Sequence, residues 1–97
     1  AMKVSISDPA KLDLANIIAY LIGLNRRAAD KLSALFEEKI ASLALFPERG
    51  VRRPALSKNA RVLMVETYLV IYRIELDYVL VLRVLDGRMD IETEFIE

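Results

Sequence analysis

Three strand-like runs follow one another closely in the last third of the chain, and they constrain its fold more than any other feature. They span residues 61–66, 68–74 and 78–85 and are rich in valine, leucine, isoleucine and tyrosine. Such runs, with short turns near residues 66–67 and 75–77, predict an antiparallel sheet. Both alternating rows of the last two runs are largely apolar, whereas an antiparallel sheet usually leaves one face polar for water. The helices of so short a chain can cover only one face, so the pattern predicts an open apolar face that a partner protein covers.

The first half of the chain predicts one strand and then two helices. Apolar and polar residues alternate over 2–7, as in a half-buried strand. Asp8-Pro9 can begin a helix over about 9–23, and a second helix over about 26–45 follows so closely that an antiparallel hairpin is favoured. We expect the apolar stripes of both helices to lie in the core. They comprise Leu12, Ala15, Ile18, Ala19 and Ile22, then Ala28, Leu32, Leu35, Phe36, Ile40 and Leu43.

The composition of the 97 residues fits one domain over residues 1–97 and argues against several kinds of site. There is no cysteine for a disulfide or a thiolate metal site, and no histidine, the commonest acid–base group near neutral pH. We therefore expect no metal and no cofactor. No apolar run approaches the ~18–20 residues of a membrane span, and no secretion signal is apparent, so we expect a cytoplasmic protein that does not contact the membrane.

Charge is unevenly distributed, although the formal net charge is zero. Residues 25–61 contain nine Lys or Arg and four acids, whereas residues 62–97 contain three Arg and eight acids. The loop after the second helix could form a basic patch of Arg49, Arg52, Arg53 and Arg61, or simply a solvated surface. Because nucleic-acid-binding domains usually have a clear basic excess, we expect no strong direct binding of nucleic acid.

The element order and its particular residues resemble the ParE/RelE superfamily of bacterial toxins from type II toxin–antitoxin modules. The resemblance covers essentially the whole chain. It is carried by Ser7-Asp8-Pro9-Ala10, Arg27-Ala28-Ala29, Phe46-Pro47-Glu48-Arg49-Gly50, residues 68–73, Leu82-Arg83-Val84-Leu85, Gly87-Arg88 and Asp90. It implies a small α+β fold, β-α-α-β-β-β, with a helical hairpin packed on a mainly antiparallel four-stranded sheet. It also implies a toxin of the plasmid-stabilisation kind, neutralised by a cognate ParD-like antitoxin.

Two toxin activities occur in this superfamily: ParE-like toxins are associated with inhibition of DNA gyrase, and RelE-like toxins with ribosome-dependent cleavage of mRNA. The chain departs from the RelE-like set, because Leu69 stands where those nucleases tend to carry a phosphate-binding Arg. Glu94-Phe95 stand where they tend to carry a Tyr.

Arg73, Arg83, Arg88 and Glu92 could form only an incomplete nuclease site, among acids that repel phosphate. We therefore favour an inhibitor without a catalytic site that binds gyrase directly. An endoribonuclease and a degenerate scaffold that only binds an antitoxin are the alternatives.

Two sets of residues follow from this interpretation. The residues expected to bind the target are Arg83, Arg88, Met89 and Asp90. The residues expected to bind the antitoxin, on the open face of the sheet, are Leu69, Ile71, Val79 and Val81. Many ParE-like relatives carry His and then Gly-Arg-Arg-Asp after the last strand. Residues 86–90 of this chain read Asp-Gly-Arg-Met-Asp and so have one cation fewer and one anion more.

Overall fold

The computed structural model describes residues 1–95, which form one five-stranded sheet with a helical hairpin on one side. The strands lie in the order β1-β5-β4-β3-β2; β1 pairs with β5 in parallel and the other pairs are antiparallel. The elements are β1 (Lys3–Ile6), α1 (Asp8–Leu24), α2 (Arg26–Ala41), a 3-10 turn (Ser42–Ala44), β2 (Val51–Arg52), β3 (Ala60–Val65), β4 (Tyr68–Ile74), β5 (Tyr78–Asp86) and α3 (Ile91–Glu94). The predicted α+β architecture is confirmed, but the sheet has five strands, since β2 forms within the predicted loop.

Side-chain caps define where the two long helices begin. The Ser7 hydroxyl accepts the Ala10 N–H at 3.2 Å, and Pro9 lies in the first turn of α1. Asn25 separates the helices, and its side chain accepts the Ala28 N–H at 3.0 Å. Both bonds satisfy donors that a helix N-terminus would otherwise leave unpaired. A single linking residue therefore folds the two helices back as the predicted hairpin.

The larger core lies between the hairpin and the sheet. Its buried residues are Ala10, Leu32, Phe36, Ile40, Leu43, Leu63, Val65, Val70, Tyr72, Val79, Val81 and Val84. The stripe predicted for α2 is confirmed, because Leu32, Phe36 and Ile40 are buried here.

The stripe predicted for α1 is wrong, since Leu12, Ala15, Ala19 and Ile22 are exposed and only Ile18 is partly buried. The residues of α1 that pack on the core are instead Ala10, Leu14, Ile17, Ile18 and Leu21. Most of the helix surface is apolar, so hydrophobic spacing alone cannot fix the rotation of α1 about its axis.

Polar contacts with the edge of β5 fix that rotation. The Ser7 hydroxyl donates to the Leu82 carbonyl at 2.8 Å, and the Asp13 carboxylate accepts the Val84 N–H at 2.9 Å. Strand β1 pairs only with Tyr78 to Val81 of β5, so these side chains take over beyond the end of β1. Buried backbone donors require such partners, and satisfying them turns Leu12 and Ile22 towards solvent.

The second face of the sheet, opposite the hairpin, carries a smaller core that the chain closes with its own C-terminal segment. Its buried residues are Ala60, Val62, Leu69, Ile71, Leu85, Ile91 and Phe95. Ile91 and Phe95 are four residues apart, so one side of the α3 segment packs on the sheet while Glu92 and Glu94 remain exposed. The prediction that a partner must cover this part of the face is therefore wrong.

A bulge in β5 changes which side chains share a face. Ile71 pairs with Arg83 but Tyr72 pairs with Val81, so the intervening Leu82 has no partner of its own in β4. An extra residue reverses the alternation of side chains along the rest of the strand. Val79 and Val81 consequently point towards the hairpin, on the side of the sheet opposite Leu69 and Ile71.

Tyr72 forms hydrogen bonds with the loop that follows the 3-10 turn. Its hydroxyl donates to the Pro47 carbonyl at 2.6 Å and accepts the Gly50 N–H at 2.8 Å, and burial raises the pKa of this phenol. A Cβ atom at Gly50 would lie 2.6 Å from the Tyr72 ring, so the loop admits only glycine there without rearrangement. This contact explains the glycine at position 50.

Candidate functional site

A cleft of about 320 Å³ lies between α1 and the end of β5. Its lining combines apolar, aromatic and charged side chains, namely Asp13, Asn16, Ile17, Tyr20, Tyr68, Val84, Leu85, Asp86, Arg88 and Met89. Tyr20 and Met89 are both exposed large side chains on its rim. Exposed tyrosine, arginine and methionine are residue types enriched in protein–protein interfaces, so this cleft is the first candidate contact surface.

Arg88 is held on this rim by its neighbour Asp86. Its guanidinium donates to both carboxylate oxygens of Asp86, at 2.6 and 3.0 Å, and its backbone N–H donates at 3.0 Å. These bonds lower the pKa of Asp86 to about 2, chiefly through the side-chain bond. The Arg88 side chain nevertheless remains 75% exposed, so its charge is available to a partner.

Gly87 allows the turn after β5 to pack closely against the sheet. The Gly87 N–H donates to the Thr67 carbonyl at 2.7 Å, and a Cβ atom at Gly87 would lie 2.8 Å from the same oxygen. The turn that carries Arg88 and Met89 thus lies against the β3–β4 hairpin. Sequence inspection identified Arg88 and Met89, and both are accessible at this site.

Arg83 occupies a different environment from Arg88. Its guanidinium donates to the two oxygens of Asp13 at 2.7 and 2.9 Å, and that hydrogen bonding is the main reason its pKa is raised. The two side chains are only 25% and 15% exposed. Arg83 thus joins β5 to α1, and its expected part in binding the target stays a prediction. The role of Asp13 as a hydrogen-bond acceptor for β5 was not predicted, since no local sequence pattern indicates this contact.

Asp90 begins the segment that covers the second face. Its carboxylate accepts the Thr93 hydroxyl at 2.9 Å, and its backbone carbonyl accepts the Glu94 N–H at 3.0 Å. These bonds form the short turn that directs Ile91 and Phe95 onto the sheet. Asp90 therefore connects the rim of the cleft to the C-terminal cover.

The four residues predicted to bind an antitoxin do not share an exposed surface, and their expected placement is wrong. Leu69 and Ile71 lie beneath Ile91 and Phe95, whereas Val79 and Val81 lie beneath the hairpin. A different apolar surface is open: a groove of about 490 Å³ bounded by β1, α1 and α2. Its apolar lining comprises Val4, Ile6, Leu14, Ile18, Phe36, Ile40 and Ala41.

The arginines of the predicted basic patch lie around β2, and two of them hold the loop together. Arg49 donates to the Ser42 hydroxyl at 2.6 Å. Arg61 donates to the carbonyls of Glu48 and Gly50 at 3.1 and 2.9 Å. Arg52 pairs with Arg61 across β2 and β3 and remains exposed, whereas Arg53 is partly buried. The patch is thus in part a structural feature of the loop.

The cations considered for a nuclease site each have a carboxylate partner. Arg83 pairs with Asp13, Arg88 with Asp86, and Arg73 with Glu75. Within residues 1–95, no three acidic, histidine or cysteine residues are grouped as metal ligands would be. Over the same residues, no helix has the length and apolar character needed to cross a membrane.

The fold resembles a solved structure, and the sequence matches a family model. A chain from the chromosomal ParDE toxin–antitoxin system of P. aeruginosa has a similar fold, with a TM-score of 0.76 over 88% of this chain and 95% of that one. The two are 22% identical, so this likeness supports the fold alone. No curated protein matches the sequence significantly. A family model for the ParE toxin of the type II toxin–antitoxin system parDE matches residues 4–91, and the chain therefore belongs to the ParE toxin family.

Proposed function

We propose that this ParE toxin inhibits DNA gyrase by direct, non-catalytic binding in the cytoplasm, and that a ParD-like antitoxin neutralises it. The contact surface is the rim of the cleft between α1 and β5. Arg88 supplies an exposed charge there, and Tyr20 and Met89 supply apolar contact area. The observation that carries the proposal is that Asp86 fixes Arg88 in an exposed position, whereas the less exposed Arg83 is bound to Asp13 of α1.

The proposed inhibition does not involve bond cleavage. Metal-free RNA cleavage requires a base, an acid and unoccupied cations around one phosphate. Arg73 and Arg83 are engaged with Glu75 and Asp13, so Arg88 is the one exposed arginine of this set, and Glu92 lies on the exposed side of α3. Direct binding needs only the exposed rim.

The groove at the edge of the sheet is the proposed antitoxin site. Strand β1 ends the strand order, so one of its edges has no neighbouring strand among residues 1–95. The groove beside it is lined mainly by apolar side chains, including Ile6, Ile18 and Phe36. An extended segment of the antitoxin could pair with β1 and place alternate side chains in the groove, as in other complexes formed by strand addition.

Induction in cells tests the proposed target. Wild-type protein should arrest growth and relax plasmid DNA without cutting transcripts, and Arg88→Ala should weaken both effects. Arg52→Ala is the matched control, because it removes an exposed arginine on the far edge of the sheet. Transcript cutting with unchanged supercoiling would refute gyrase as the target.

Co-purification tests the antitoxin site separately. Ile18→Glu should abolish recovery of the toxin with its ParD-like antitoxin while the far-ultraviolet circular dichroism spectrum is retained. Leu76→Glu is the control, because Leu76 is 99% exposed in the turn between β4 and β5, away from the groove. Equal recovery of both folded variants would exclude the groove.

A further inference from the structure

The surface of α1 that faces away from the core carries an apolar stripe that nothing in residues 1–95 covers. Leu12, Ala15, Ala19 and Ile22 lie along it, and Leu12 and Ile22 are 61% and 42% exposed. A surface helix normally presents charged or polar side chains on this side. Residues 14–25 of this chain contain no charged residue at all. The outer side of α1 therefore resembles an interface more than a solvated surface.

We propose that this stripe is a self-association surface, through which the α1 helices of two copies of the toxin pack antiparallel about a two-fold axis. The spacing of the four residues is three, four and three, which is that of the apolar seam in a pair of packed helices. The pattern is also symmetric, with a large residue at each end and two alanines between. A two-fold contact requires such a self-complementary surface, because the same patch is used by both copies.

The positions that meet across the axis are complementary in size. An axis near the middle of the stripe places Leu12 opposite Ile22 of the second copy, and Ala15 opposite Ala19 of the second copy. Small side chains at the centre let two helices approach to about 8 Å, the short end of the usual range of interaxial distances. Gly23, next to the stripe, has open space around its Cα, so it adds no obstacle.

Charges at the two ends of the stripe favour the antiparallel direction. Asp8 lies one turn before Leu12, beside the exposed Lys11, and Arg26 follows the end of α1 at the start of α2, where it pairs with Asp30 at 3.4 Å. The two-fold axis brings the Asp8 end of one copy to the Arg26 end of the other, so opposite charges meet twice. A parallel pairing would place like charges together. An unrelated partner would need neither the symmetric spacing nor this arrangement of charges.

The size of the stripe predicts weak, concentration-dependent association. The stripe spans ten residue steps, or about 15 Å of helix. Two such surfaces, each with only two large side chains, bury well under the ~1,200–2,000 Å² of a stable interface, so the association is weak. Ile18, which lines the groove beside β1, lies three residues after Ala15 and four before Ile22, so the stripe and the proposed antitoxin site occupy neighbouring sides of α1.

Single-cysteine variants test the geometry, because the chain has no native cysteine. Ala15→Cys and Ala19→Cys change small exposed residues and should fold normally. Under mild oxidation, a mixture of the two variants should form disulfide-linked dimers several-fold faster than either variant alone. Equal rates for the mixture and the separate variants would overturn the antiparallel arrangement.

Sedimentation equilibrium tests the association itself. The weight-average mass of the wild-type protein should rise from 11.0 kDa towards twice that value with concentration. Ile22→Glu should weaken dimerisation by about tenfold or more, because it places a carboxylate in an apolar contact. Leu76→Glu should leave the mass curve unchanged. A wild-type mass that stays at the monomer value at every concentration would refute the proposal. So would an Ile22→Glu variant that lost antitoxin binding but kept the wild-type mass curve.

Discussion

Replacing Phe95 with alanine should destabilise the protein substantially, because Phe95 closes the second face of the sheet. It is buried there in one cluster with Leu69, Ile71 and Ile91. Truncating a buried phenylalanine in a core costs about 3–5 kcal/mol. Since Phe95 lies in a short terminal segment that can partly readjust, we expect a loss of about 2–4 kcal/mol in the free energy of unfolding, within the usual range for such changes. For a domain of this size that corresponds to a fall of at least about 8 °C in the melting temperature.

Urea unfolding followed by far-ultraviolet circular dichroism measures this change, since the chain contains no tryptophan. Met64→Ala is the matched control: Met64 projects from β3 on the same face but is exposed, so its loss should change stability by no more than about 0.5 kcal/mol. The reasoning is refuted if Phe95→Ala unfolds at the same urea concentration as Met64→Ala. The result also bears on toxicity, because a chain truncated after Asp90 loses Ile91 and Phe95. Growth assays on that truncation therefore need a parallel measurement of folding.

Three further predictions follow from local contacts. Tyr72→Phe removes the partner of the buried Gly50 N–H and of the partly buried Pro47 carbonyl in the loop after α2, and it should cost about 2–4 kcal/mol. In urea unfolding, Tyr20→Phe, at an exposed site, should cost at most about 0.5 kcal/mol, and equal losses would contradict the bonding described. Glu66 has φ 55° in the β3–β4 turn, a backbone conformation that glycine adopts without strain. Glu66→Gly should therefore relieve about 0.5–1 kcal/mol of strain and raise the melting temperature by a few degrees. An unchanged melting temperature would argue against that strain. The bonds from Arg88 favour the ionised form of Asp86, so they add stability above pH 3.8 that is lost as the pH falls towards about 2. Arg88→Ala should return the pKa of Asp86 towards 3.8 in an NMR titration, and an unchanged pKa would exclude the pairing.

The order of the elements could be predicted because each depends on local patterns. Alternation identified β1, apolar runs rich in valine, leucine and isoleucine identified β3 to β5, and Asp8-Pro9 indicated the start of α1, although its N-cap is Ser7. The rotation of α1 could not be predicted in this way, because Leu12 and Leu14 are equally apolar and lie on different sides of the helix. Only the contacts of Ser7 and Asp13 with the distant β5 decide which of them is buried.

The site was partly predictable for a similar reason. Arg88 and Met89 follow a strand in a polar turn, and such residues are usually exposed. The placement of Val81 failed because the bulge at Leu82 depends on how β5 pairs with β4 and on where β1 ends. The cover provided by Phe95 was missed because charged neighbours conceal the spacing of four residues between Ile91 and Phe95. Each error concerns a contact between residues far apart in the chain.

Titration of purified DNA gyrase with the purified toxin tests the proposed activity most directly. Wild-type protein should inhibit supercoiling in a dose-dependent manner. Arg88→Ala should require about tenfold more protein for the same inhibition, as expected for loss of one charged anchor in an interface. Arg52→Ala should behave as wild type. Supercoiling that is unaffected by a folded wild-type protein at every concentration would contradict direct inhibition of gyrase.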